Sequence, residues 1–233
     1  MIAREGIIFI VIGLVLTIGF LLTSVRYDNK LLFTLAVISC LLTLFTTFFF
    51  RDPDRSFTKT EGILISPADG KILAVENVGH HEFIGGEAVK ISIFLSVFDV
   101  HVNRIPADGV IDYVKYNPGE FHAAWADKAS DKNEQTEIGM TTTAGHKIIF
   151  KQIAGLIARR IICRLSAADT VTAGKRFGLI RFGSRTELFV PADSKILVKP
   201  GDHVAGSETI FGYLPKIIID DRPMSESQEN VEP

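Results

Sequence analysis

The chain has 233 residues and a formal net charge of −2, with 25 basic against 27 acidic side chains. No Lys/Arg run accompanies that balance, which removes the electrostatic footprint of a nucleic-acid binder. Two cysteines, Cys40 in an apolar run and Cys163 far along the chain, support neither a disulfide framework nor a cysteine metal site, and a reducing setting fits the globular part.

The mean hydropathy of +0.26 is high for a chain with 22% charged residues, so the apolar residues must be concentrated somewhere. They are concentrated at the N-terminus. Gly6 to Val25 and Leu31 to Phe50 are uncharged stretches, each near the ~20 residues that cross a hydrocarbon core as helix. Arg26, Asp28 and Lys30 fall in a return of a few residues, so the pair reads as a hairpin over residues 1–56 with both ends on one side. Arg4 before it and Arg51, Arg55 and Lys59 after it favour a cytoplasmic globular part, against the weaker pull of Arg26 and Lys30. A cleaved signal peptide is the less favoured reading, because the second run follows at once with no small-residue cleavage site. Full spanning and shallow or re-entrant insertion both remain open.

From residue 57 to 215 the pattern changes to short runs rich in Val, Ile and Phe, separated by Gly, Pro, Asp and Asn. This predicts a mostly β domain. Expected strands include Ile63 to Ile65, Lys71 to Val78, Val89 to Val97, Val110 to Tyr116, Lys147 to Ile153, Leu179 to Phe182, Glu187 to Val190 and Lys195 to Val198. Phe121 to Glu134 is expected as loop with one helical turn, and Ala154 to Leu165 fits strand or short helix equally. The run from Lys195 through Pro200-Gly201-Asp202 to Gly206 and Glu208 is similar to the turn segments of biotinyl- and lipoyl-type barrel sandwiches, without their lysine-bearing hairpin tip. Residues 216–233 are polar and acidic and are expected to be disordered.

The most informative stretch runs from Gly174 to Glu187 and contains Phe182-Gly183-Ser184-Arg185. A Gly-Ser pair between strands is ordinarily a turn. Here it lies among apolar strand residues, and three further stretches accompany it: Phe48-Phe-Phe-Arg-Asp-Pro-Asp-Arg55, Ser66-Pro-Ala-Asp-Gly-Lys71 and Phe98-Asp-Val-His-Val-Asn-Arg-Ile-Pro106. In this order and behind an apolar hairpin, the four motifs resemble the short membrane-anchored branch of the phosphatidylserine decarboxylases over essentially the whole chain. Larger members of that family carry Leu-Gly-Ser-Thr where this chain has Phe-Gly-Ser-Arg.

The resemblance implies a proenzyme that cuts itself between Gly183 and Ser184. Residues 1–183 would form a large chain and 184–233 a small chain headed by a pyruvoyl group made from Ser184, the two remaining together as a heterodimer. That covalent cofactor would form a Schiff base with phosphatidylserine and release phosphatidylethanolamine, with the domain on the cytoplasmic face of the inner membrane. The roles of base and supporting carboxylate fall by resemblance on His101 and Asp69, beside Ser184. The chemistry suits these types: glycine on the acyl side tolerates a distorted backbone, and a neutral serine needs a base to take its proton. On residues alone, Asp69 also fits an ordinary Ala-Asp-Gly turn, and His101 a satisfied strand histidine.

One departure concerns Arg104, which stands where larger members have a second histidine. It fits either a ligand for the substrate phosphate or carboxylate, or a surface arginine. The other histidines, His80, His81, His122, His146 and His203, have no metal-site spacing, so no metal is expected, and neither a phosphate loop nor a Gly-x-Ser-x-Gly elbow is present. Asn133-Glu134 is a weaker candidate for the headgroup entrance. A pyruvoyl enzyme for a soluble amino acid would have no use for the hairpin. The non-enzymatic alternative is a membrane-tethered barrel-sandwich binding module, and oligomeric state is left open.

Overall fold

A computed structural model describes residues 1–125, 129–156, 160–181 and 183–216. Two helices, α1 (Arg4–Tyr27) and α2 (Lys30–Phe49), form the hairpin. Its return is sharp because Asp28 adopts a left-handed conformation (φ 45°) and Asn29 caps α2, its side chain accepting from Leu31 N at 2.9 Å and Leu32 N at 3.2 Å. The helices pack closely through small residues. A Cβ on Gly6 would lie 2.3 Å from the Phe50 ring and one on Gly13 2.2 Å from Thr43 Oγ1, while Thr17 Oγ1 donates to Ser39 Oγ across the pair at 3.0 Å. Both helices are long and apolar enough to cross a membrane, and most of their apolar surface faces outward.

The remainder is β-rich. In chain order come β1 (Ile63–Ile65), β2 (Gly70–His81), β3 (Gly86–Leu95), β4 (Val102–Arg104), β5 (Gly109–Asn117), the short α3 (Ala129–Lys132), β6 (Gln135–Thr142), β7 (Lys147–Ile153), β8 (Ile161–Cys163) and β9 (Thr170–Val171). They are followed by β10 (Arg176–Ile180), β11 (Ser184–Pro191), β12 (Lys195–Ile196), β13 (His203–Val204) and β14 (Ile210–Tyr213). Among the described residues an eight-stranded antiparallel sheet, ordered β13-β2-β3-β11-β7-β6-β5-β9, curls around the main core as a half-barrel. Two three-stranded sheets, β1-β14-β12 and β4-β10-β8, flank it. The core is built from Ile91, Ile93 and Leu95 of β3, Leu188 and Val190 of β11, and the edge-to-face pair Phe150 and Phe177 at 5.0 Å.

The sequence reading misses β6, whose Gln135-Thr-Glu-Ile-Gly-Met-Thr-Thr142 is too polar to look like a strand. It forms because β5 and β7 satisfy its backbone on both sides. The expected Leu179 to Phe182 strand lies instead at Arg176–Ile180, and Phe182 is outside the described residues. The expected turn in Phe121 to Glu134 is α3, and Ala154 to Leu165 contributes β8. Of the expected disordered tail, residues 217–233 lie outside the described residues.

A small second core decides where the site sits. Ala3, Phe49 and Phe50 from the base of the hairpin pack with Val100 and Val102 around β4 and with Leu179 of β10. The hairpin is therefore packed into the β domain where its chain leaves the helices.

Candidate active site

Ser184 is the first residue of β11, the strand held between β3 and β7, with Leu95 as its partner on β3. It is completely buried, and its Oγ has no hydrogen-bond partner among the described residues. A hydroxyl left in this state costs free energy unless something recruits it, and a nucleophile awaiting a base is such a case.

Gly183, immediately before it, has φ +68°, the left-handed region that glycine enters at no steric cost. Its N–H donates to His101 Nε2 at 3.2 Å. The fold explains the meeting: β4 pairs with β10 in register Leu179↔Val102, and Ile180 N–H donates to His101 O at 3.3 Å. His101 is thereby set opposite the strand that ends three residues before Gly183.

The tautomer follows from the partners. Because Nε2 accepts from Gly183 N–H, Nδ1 carries the proton and donates to Asp99 O at 2.9 Å. The ring lies 4.2 Å from that of Phe49 and is fully buried. Burial pushes its pKa down to about 4, against the opposing pull of the Asp99 carbonyl and of the carboxylates of Asp99 and Asp69. His101 is thus a neutral imidazole at neutral pH, with its lone pair directed at the Gly183 N–H.

Asp69 sits in the Ser66-Pro-Ala-Asp-Gly70 turn. It does not bond the imidazole. Its carboxylate is paired with both Nη atoms of Arg55, at 2.7 Å from Nη2 to Oδ2, and accepts from Gly206 N–H at 2.9 Å. The turn needs glycine at position 70, where φ is +147° and a Cβ would lie 2.1 Å from Phe94 O. Gly206 comes from the barrel-sandwich-like segment, so that segment helps to hold Asp69. His101 is oriented by a backbone carbonyl, and Asp69 reaches it only through its field.

The motif at the hairpin exit also finds its partners. Arg51 Nη2 donates to Phe98 O at 2.7 Å, and Arg55 holds Asp69. Asp52, nearly buried, pairs with Arg104 at 2.7 Å and with Arg176. Arg104 donates further to Pro53 O and Gly174 O, so it is neither a surface residue nor free for a substrate anion. Asn133 is a buried pin rather than a lining residue: its Nδ2 donates to His122 O and Ala154 O, and its Oδ1 accepts from His122 N–H.

Two features escape the sequence reading. A Cβ on Gly155 would lie 2.2 Å from Gly183 O, so only glycine leaves room for the carbonyl of the Gly183-Ser184 peptide. The Ala154-Gly155 pair after a strand was the available signal, and it is indistinguishable from an ordinary turn. The second feature is a cavity of about 250 Å³ with Gly183 in its wall, otherwise lined mainly by Phe94, Val97, Phe98, Ala124, Trp125 and Leu156. Behind it Arg185 and Glu187, both buried, pair at 2.9 Å, and Glu187 accepts from Ser130 of α3 at 2.7 Å. Among the described residues no cluster of His, Cys, Asp and Glu could hold a metal ion.

Comparison with known proteins agrees over almost the whole chain. The profile of the family described as phosphatidylserine decarboxylase matches residues 42–212. The chain is 44% identical over 215 residues to a phosphatidylserine decarboxylase proenzyme of Symbiobacterium thermophilum, covering 92% of this chain and 96% of the relative. It is 47% identical over 213 residues to that of Desulfotalea psychrophila, covering 91% and 96%. To that of Rickettsia conorii it is 44% identical over 211 residues, covering 89% and 88%.

Proposed function

Since the chain belongs to the phosphatidylserine decarboxylase family, we propose that it decarboxylates phosphatidylserine to phosphatidylethanolamine after cutting itself between Gly183 and Ser184. The observation that carries this reading is the buried, unpartnered Ser184 Oγ beside a left-handed glycine whose amide is held by a neutral histidine. In the cut, His101 Nε2 leaves the Gly183 amide and takes the Ser184 hydroxyl proton, and Oγ attacks the Gly183 carbonyl carbon. The C–N bond breaks as the C–O bond forms, giving an ester and a free amine at residue 184. Loss of the Ser184 Cα proton expels the Gly183 carboxylate and leaves dehydroalanine, whose imine form takes up one water and releases ammonia. The resulting ketone is the pyruvoyl group.

The residues present fit that group. Position 184 is fully buried, which shields a reactive ketone, and β11 is hydrogen-bonded on both sides, so the chain that begins at residue 184 stays anchored through Ser184–Pro191 once the peptide is cut. When formed, the group supplies the electron sink for loss of CO2 from an amine substrate. His101, neutral and able to accept and return a proton, is the group we assign to protonating the headgroup carbon. Asp69 contributes through its negative field, which favours the protonated form of His101, and Arg55 holds it in place. The apolar cavity beside Gly183 suits the glycerol and upper acyl part of a lipid. The basic residues around the hairpin ends favour the cytoplasmic face of the inner membrane.

Intact-mass measurement of the wild type beside Ser184→Ala tests the reading. The expected wild-type masses are those of residues 1–183 and of 184–233 blocked by pyruvoyl, with a single full-length mass for the variant. A single full-length mass for folded, membrane-inserted wild type would instead favour a tethered binding module. Conversion of phosphatidylserine in vesicles by the cleaved protein then identifies the substrate.

A further inference from the structure

Phe98, Trp125 and Leu156 come from three separate segments, and all three are largely exposed, at 66%, 62% and 59%. Single exposed apolar residues on a protein surface need no explanation. These three, however, converge on the mouth of one apolar cavity, the one with Gly183 in its wall. A concentrated apolar rim marks a surface with a partner.

The hairpin identifies the partner. Arg51 lies just past Phe50, the C-cap of α2, and its guanidinium lies 4.0 Å over the Phe48 ring while donating to Phe98 O at 2.7 Å. An arginine at the end of a membrane helix keeps its charge at the headgroup level. The Phe98 backbone, bonded to that charge, is therefore at the same depth, and its exposed ring is at the boundary of the acyl region. Trp125 has one ring edge engaged by Phe94, at 5.7 Å and nearly perpendicular, and is otherwise open. Tryptophan is among the residues best suited to an interfacial layer, with an apolar body and one N–H donor.

We propose that Phe98, Trp125 and Leu156 form a second membrane-contact surface, seated in the interfacial layer of the bilayer that holds the hairpin, so that the cavity beside Gly183 opens directly into lipid. The substrate then slides into the site without lifting its acyl chains through water. This rests on the hairpin being membrane-inserted and is independent of the chemistry at Ser184.

The chain contains a single tryptophan, so its fluorescence reports on this rim alone. The test is Trp125 emission from full-length protein in phosphatidylcholine nanodiscs that are plain, brominated near the top of the acyl chain, or brominated near its end. Emission should fall to about half or less with the shallow bromines and fall less with the deep ones, as for a side chain seated at the interface. Leu156→Asp, alone and with Phe98→Asp, should restore emission in shallow-brominated discs, since both side chains are exposed and neither change opens the core. Equal emission in plain and brominated discs would overturn the proposal, as would wild-type quenching in the folded variants. Uncut Ser184→Ala protein should quench like the wild type, so a failure of self-cleavage and a failure of membrane seating are read separately.

Discussion

Gly155 and His101 impose different demands on the same peptide. A methyl group at position 155 must displace Gly183 O, and the carbonyl it displaces is the one that Ser184 attacks in the proposed cut. Gly155→Ala should therefore slow self-cleavage by on the order of a hundredfold while leaving the fold intact, since small misplacements of reacting atoms cost that much. Pulse-labelled proenzyme in nanodiscs, followed on denaturing gels, reads the rate, and cleavage at the wild-type rate would refute the positioning role. For His101 the depressed pKa makes the reactive neutral form dominant over the physiological range. Cleavage should be flat from about pH 5 to about pH 8 and fall with one-proton dependence toward about 4. The same shift couples to stability. Between its ordinary 6.5 and about 4 the unfolded chain binds a proton that the folded chain does not, so stability is full above that window and falls as pH drops through it. Denaturant melts of Ser184→Ala across this range should lose on the order of 3 kcal/mol, and His101→Phe should remove that component.

At the scale of elements, the exit segment from Arg51 to Arg55 works as a clamp. Asp52 is almost buried and answers two arginines, Arg104 of β4 and Arg176 of β10, so the strand that follows His101 and the strand that leads to Gly183 are tied to the end of α2. Removing the shared carboxylate leaves two cations without their partner. Asp52→Asn should cost about 3 kcal/mol and lower the melting temperature by several degrees, whereas Asp54→Asn should do neither. Much at this scale was legible beforehand. The hairpin and seven of the expected strands follow from apolar runs, because burial leaves a local imprint on composition, whereas the meeting of His101 with the Gly183 amide was suggested only by the resemblance that the ordered motifs carry. The partners of Asp69 and Arg104 were not legible, since Arg55 and Asp52 reach them across 14 and 52 residues of sequence and a charged side chain does not announce its counter-ion. β6 was missed for a related reason: its neighbours, not its own polar residues, make it a strand.

For the whole molecule, the hairpin is more than a tether. Phe49 covers the His101 ring, and Phe49 and Phe50 close a core with Val100, Val102 and Leu179. Burial is what keeps His101 neutral, so the hairpin base helps to set the protonation of the group assigned as base. Shaving Phe49 to alanine should admit water to the imidazole and move its pKa up toward 6.5, because the desolvation holding it down is relieved. The acidic limb of the cleavage profile should shift upward with it. A protein truncated before Arg51 is the stronger form of the test. If the anchor only concentrated enzyme at the bilayer, the truncated chain in detergent would cut itself at the full rate. If the hairpin base completes the site, as the packing of Phe49 requires, the truncated chain should stay largely uncut even where circular dichroism reports an intact sheet, and adding lipid should not restore it.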